Sequence, residues 1–254
     1  MKHTWWVWIW IGLFSGCASQ QGKQDAKDAK VDALQRAVAH TELGAAYSEV
    51  GQFAVAIEEL KVAISANPNY APAHNQLGLA YMALNENQLA RQSFERALKI
   101  DPEDSATNNN YGTFLCQRTR EKDVMRYFLT ALKNPLYATP EIASTNAGVC
   151  ARMQGDEIKA EEWLRKAISL QPSQPQALYL LADISFRKGD LLNARGFLTR
   201  HLQASAPTVE ALWLGARIEN QLGDRSALTS YGVQLNNRFP GAAQTRAFNE
   251  GQFK

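Results

Sequence analysis

"HTELGAAYSEVGQFAVAIEELKVAISANP" occupies residues 40–68, and "HNQLGLAYMALNENQLARQSFERALKIDP" occupies residues 74–102. Laid over one another, the two match at His40 and His74, Leu43 and Leu77, Gly44 and Gly78, and Tyr47 and Tyr81. They match again at Ala56 and Ala90, Ala63 and Ala97, and Pro68 and Pro102, with Leu60 facing Phe94, always at an offset of 34. A fixed period of this length marks a stacked repeat, in which each unit buries its face against the next. Gly44 and Gly78 lack a β-carbon, so a first helix (A) can approach a second (B) closely, and the alanines keep the facing side small. Gly51 can end helix A in a left-handed conformation. Asn67-Pro68 and Asp101-Pro102 stop helix B, because proline disfavours helix in the residue before it. Leu89, Ala90, Phe94, Ala97 and Leu98 give the second helix B an amphipathic stripe.

Weaker copies follow. The third has Gly112, Phe128 and Ala131, but Val124 where alanine is expected and no proline at its end. The fourth has Gly148, Gly155, Ala160, Leu164, Ala167 and Pro172, with two residues inserted near "NPLYATP" (134–140). The fifth has Gly189, Ala194 and Leu198 with Ala182 for the glycine; the sixth has Gly223 and Pro240. The pattern resembles the tetratricopeptide repeat, with histidine replacing the first aromatic in both clean copies. That resemblance implies an all-α fold, a right-handed superhelix of about six helix-turn-helix repeats over residues 37–242, with a polar C-terminal cap over 243–254. It also implies that helix A lines a concave, protein-binding groove. In the first three repeats the groove positions include Thr41, Ala45, Ser48, Asn75, Leu79, Met82, Asn109 and Thr113. Leu79 and Met82 suit the grip of a peptide or strand edge; the other reading is that they only contact the next repeat.

The N-terminus reads MKHT-WWVWIWIGLF-SGC. Its uncharged run, Trp5 to Phe14, would make a helix of about 15 Å, half a bilayer core. A basic start, a short apolar run and small residues fit a secretory signal better than a spanning helix. Phe14-Ser15-Gly16-Cys17 resembles the lipobox of bacterial lipoproteins, with Phe14 where leucine is usual. The expectation is a lipoprotein signal peptide over 1–16 and a lipid on Cys17, which becomes the first mature residue; Ala18 in place of aspartate favours the outer membrane. Residues 17–36 are polar, with no large apolar side chain before Val31, and read as a flexible tether.

Little here reads as chemistry. With 27 Lys and Arg against 25 Asp and Glu, the chain carries no basic excess to recruit nucleic acid. No phosphate-binding glycine loop occurs; Gly155-Asp156 and Gly189-Asp190 read as turns between helices, and "RTREKD" (118–123) as a charged turn. His40 and His74 have no ligand partners at metal spacing. Glu58-Glu59 and Glu161-Glu162 point apart as neighbours on a helix and read as solvated faces. The expectation is a non-enzyme, a monomer, with no cofactor, no metal and no small-molecule substrate. Cys116 and Cys150 lie on the A helices of consecutive repeats. Either a disulfide joins them or they are two buried thiols.

"NNNYGTFLCQ" (108–117), "LYATPEIASTNAGVC" (136–150) and "YGVQLNNRFPG" (231–241) are the most distinctive segments. With a lipobox and six repeats, they make the chain resemble the PilF/PilW family of type IV pilus biogenesis lipoproteins. The resemblance implies a pilotin: it binds the type IV pilus secretin subunit at the periplasmic face of the outer membrane, and its lipid on Cys17 carries that subunit there. It also implies paired cysteines at 116 and 150. The alternative is a repeat lipoprotein scaffold that recruits periplasmic cell-wall enzymes.

Overall fold

The computed structural model describes residues 17–119, 121 and 123–253, with side chains from residue 27 onward. The signal peptide expected over 1–16 lies outside the described residues. All thirteen elements among the described residues are helices. They are α1 (Cys17–Glu49), α2 (Phe53–Ala66), α3 (Ala71–Ala83), α4 (Asn87–Ile100), α5 (Ser105–Arg118), α6 (Met125–Ala131) and α7 (Pro140–Met153). There follow α8 (Glu157–Leu170), α9 (Pro175–Arg187), α10 (Leu191–Ala204), α11 (Val209–Leu222), α12 (Arg225–Arg238) and α13 (Ala243–Asn249). They fall into two compact units, one running to Pro102 with α1–α4, the other from Glu103 with α5–α13.

In the first unit α1 packs on α2 and α3, and α3 on α4. Its core joins Ile57 and Leu60 of α2 to Leu77 and Ala80 of α3, with Ile64 and Tyr81 at the margin. The glycine of the repeat works as its spacing suggested: a β-carbon at Gly78 would lie 2.7 Å from the Phe94 ring, so A and B touch there only because it is missing. The turn after helix A needs a left-handed residue. Gly51 provides it at φ +76°, and Asn85 takes the same place in the second repeat at φ 62°. Helix α4 departs from the expected stripe. It buries Ala90, Ser93, Phe94 and Ala97, while Leu89 is exposed and Leu98 half-buried. Ser93 is accepted inside because its hydroxyl donates to the Leu89 carbonyl at 2.8 Å.

In the second unit each pair packs A on B, and helix A touches the next helix A: α5 with α7, α7 with α9, α9 with α11. Leu164, Leu178, Leu181, Ile184, Leu198 and Ile218 anchor its core. Asp156, Asp190 and Asp224 each follow the turn glycine and cap the next helix, accepting the amides of Lys159, Asn193 and Ala227. Helix α6 is the exception, with seven residues against fourteen in its counterparts. Val124 stands at its N-cap position, and no side chain caps it. Cys116 of α5 and Cys150 of α7 are bonded, Cα to Cα 5.7 Å. A seventh A-like helix, α13, packs on α11 and α12.

One expectation is corrected. Residues 17–36 are not a flexible tether but the first half of α1, which runs unbroken into helix A of the first repeat. The stretch holds no proline and is rich in Ala, Gln and Lys, good helix formers that extend a helix already nucleated by packing. Among residues 27–36 only Ala33 is even half-buried, so this half of the helix owes little to tertiary contact.

Candidate protein-binding faces

The eight groove positions divide between the units, six in the first and two in the second. In the first, Thr41 and Asn75 are buried, while Ala45, Ser48, Leu79 and Met82 are half-buried. The Thr41 hydroxyl donates to the Ala37 carbonyl at 2.7 Å and the Ser48 hydroxyl to the Gly44 carbonyl at 2.9 Å. Both donors are therefore spent within α1. What this unit offers is shape and apolar surface: Ala45, Leu79 and Met82. In the second unit the Thr113 hydroxyl donates to the Asn109 carbonyl at 2.8 Å. Asn109 is buried; its Oδ1 accepts from Asn146 of α7 at 3.0 Å and its Nδ2 donates to Asn110 at 3.3 Å. Asn109 thus ties neighbouring A helices together rather than presenting a free amide.

Sequence reasoning stopped at the third repeat and missed a charged lattice beyond it. Carrying the register past the two-residue insertion places Arg152 where Met82 stands, Asp183 where Leu79 stands and Arg187 where Ala83 stands. Asp183 accepts from Arg152 at 2.6 Å and from Arg187 at 3.3 Å, and Arg187 also pairs with Glu157. Glu161, expected on a solvated face, is instead clamped by Lys188 at 2.5 Å and Arg165 at 2.7 Å. Those two bonds, Lys188 first, hold its carboxyl below the usual range. Arg195 of α10 reaches the buried Glu219 of α11, its Nε donating at 2.9 Å, and Asp224 at 3.3 Å. Arg217 lies 4.6 Å over the Phe186 ring. Those that cross between helices tie α9 to α7, α8 and α11, and α10 to α11. The period of the sequence could have found the positions; the pairing needed the packing.

His40, half-buried, bonds to Glu59 at 2.6 Å, and His74, buried, to the Pro68 carbonyl at 3.0 Å. Each is a packing residue of its repeat. No group of three His, Cys, Asp or Glu that could hold a metal occurs among the described residues, and no described helix is long and apolar enough to cross a membrane. Among the described residues the arrangement offers surfaces for binding and no convergent set of acid, base and nucleophile.

Comparison with known proteins places the chain among repeat proteins of this fold. Tetratricopeptide-repeat family models match residues 37–70, 71–104, 143–174 and 159–210. The type IV pilus assembly protein PilF of Pseudomonas aeruginosa is 27% identical over 139 residues, a match spanning 55% of this chain and 55% of that protein. Among solved structures, PilW, described as a widely conserved type IV pilus biogenesis factor, is 32% identical and superposes with a TM-score of 0.75, over 84% of this chain and 98% of that one. The PilF structure from Pseudomonas aeruginosa is 26% identical with a TM-score of 0.78, over 85% of this chain and 98% of that one. A heterotetramer of Cut9 and Hcn1, at 13% identity and a TM-score of 0.71, shares the fold alone.

Proposed function

This chain belongs to the tetratricopeptide-repeat family of type IV pilus biogenesis factors, and from that premise we propose that it is a pilotin. It is anchored at the periplasmic face of the outer membrane by a lipid on Cys17. There it binds the secretin subunit of the type IV pilus and promotes its localisation and multimerisation. It acts as a monomer and by binding, not catalysis. The observation that carries the proposal is the likeness to PilW along nearly the whole of that protein. The faces are consistent with it. Ala45, Leu79 and Met82 give the first unit a half-buried apolar surface, and the ion pairs of the second hold its helices in place before any partner arrives. A surface ordered in advance loses less entropy on binding.

The test is a deletion strain. Loss of surface pili together with loss of heat-stable secretin multimers is expected. Normal pili with altered cell shape would favour the cell-wall scaffold instead. In purified protein, Leu79→Glu with Met82→Glu is expected to weaken secretin binding at least about tenfold, a loss of about 1.4 kcal/mol. Unchanged binding would move the contact away from this face.

A further inference from the structure

Ala39, Leu43 and Ala46 of α1 recur, residue for residue, as Ala73, Leu77 and Ala80 of α3. On α3 the three are buried, and Leu77 and Ala80 pack against Ile57, Leu60 and Ile64 of α2, the helix B that precedes them. The same register is buried on α7, at Ala143, Ala147 and Cys150, and on α9, at Ala177, Leu181 and Ile184. On α1 no helix B precedes. Ala39 and Ala46 are exposed, Leu43 is 41% exposed, and Val50, one turn further on the same side, is 68% exposed. Asp32, Gln35 and Arg36, all exposed, continue this side of α1 towards the N-terminus.

We propose that Ala39, Leu43, Ala46 and Val50 form a docking face for an amphipathic helix of a partner protein. That helix presents branched apolar residues at i, i+3 and i+7, as Ile57, Leu60 and Ile64 do on α2, and carries lysine or arginine along one edge. The occupant is a helix because the same three residues receive a helix elsewhere in this chain, and because alanines on either side of a leucine admit a close helical ridge. The basic edge follows from Glu42 and Glu49, both exposed and a heptad apart along one border of the face. Those carboxylates also set the face against an anionic lipid surface. A second copy has no matching helix B to give, since α12 is already covered by α13, with the Phe248 ring seated on Gly232. Nothing in this face depends on which pilus protein the chain serves.

The probe is a fluorescein-labelled peptide of residues 53–66 with Glu58→Lys and Glu59→Lys, titrated into the purified full chain by anisotropy. Saturable binding is expected, weakened at least about tenfold by Ala46→Arg, about threefold by Glu42→Lys with Glu49→Lys, and not at all by Leu79→Glu. Helicity by circular dichroism accompanies each variant. Should Ala46→Arg not fold, Leu43→Glu is read in its place, at a side chain already in contact with solvent. Absent binding, or equal binding to both variants and the parent, overturns the proposal. So does a dimer of the unliganded chain that Ala46→Arg disperses in sedimentation velocity, which would assign the face to a second copy. Flotation of the Cys17→Ala chain with phosphatidylglycerol vesicles, lost on Ala46→Arg, would assign it to the membrane.

Discussion

At position 78 one methyl group sets the distance between two helices. A β-carbon there meets the Phe94 ring at 2.7 Å, closer than side chains tolerate, and Phe94 is fully buried. Gly78→Ala is therefore expected to lower the unfolding free energy by about 1–3 kcal/mol. Alanine's better helix propensity, about 1 kcal/mol, offsets only part of it. Urea denaturation reads the loss, and adding Phe94→Leu should restore part of it. Four residues away, His74 predicts a pH dependence. Burial, and secondarily Arg96, push its pKa below the ordinary value of about 6.5, although the Pro68 carbonyl favours the charged ring. Below about pH 6.5 the unfolded chain takes up a proton that the folded chain resists, so this contribution is complete above that pH and is lost as pH falls. Melting temperature should drop between about pH 7.5 and about pH 5.5, and His74→Phe should flatten the drop. Residues of this kind are legible in a sequence when the backbone dictates them, as with Gly44, Gly78, Pro68 and Pro102. Gly215, which seats the Tyr231 ring, went unread because it lies 33 residues after Ala182 (215 − 182), one short of the period, where Ala216 stands.

Among the helices, the third pair is the weakest. Helix α6 has half the length of its counterparts, so α5 is covered by a shorter second helix than its neighbours are. The Cys116–Cys150 bond ties α5 to α7 across this gap, closing a separation of 34 residues. Loop closure of that length is worth about 4 kcal/mol in the chain-entropy model. Cys116→Ser with Cys150→Ser is expected to approach that loss in denaturant unfolding, and to speed proteolysis between α5 and α6 before the rest of the second unit yields. Equal proteolysis with and without the bond would show that α6 suffices alone. The degeneracy of this repeat was visible in Val124 and the missing proline, but its half-length helix was not, since Met125–Ala131 still carries the repeat's Phe128 and Ala131. The opposite error fell on α1. Polarity without large apolar residues suggested a tether, yet helix propensity and a packed second half carry the helix back to Cys17. Ion pairs such as Arg152 with Asp183, 31 residues apart, escape any reading of period, because they depend on which turn of one helix meets which turn of the next.

For the whole chain, binding and delivery are separable in the proposed role, and Cys17 is where they part. The repeats from residue 37 onward hold the faces, and residues 27–36 of α1 make almost no tertiary contact, so the protein's stability does not rest on its N-terminal end. Several acyl chains on one cysteine give lasting attachment, at about 0.8 kcal/mol for each buried methylene. Cys17→Ala removes that attachment and no packed side chain of the repeats. The variant is expected to keep the parent's melting temperature and to retain secretin subunits in a pull-down. In cells, secretin should shift from outer- to inner-membrane fractions on a density gradient, and heat-stable multimers should fall towards the level of a deletion strain. The two measurements belong together. Lost binding with lost multimers would mean that α1 takes part in recognition, whereas intact binding with outer-membrane multimers still present would show that the lipid is not the address.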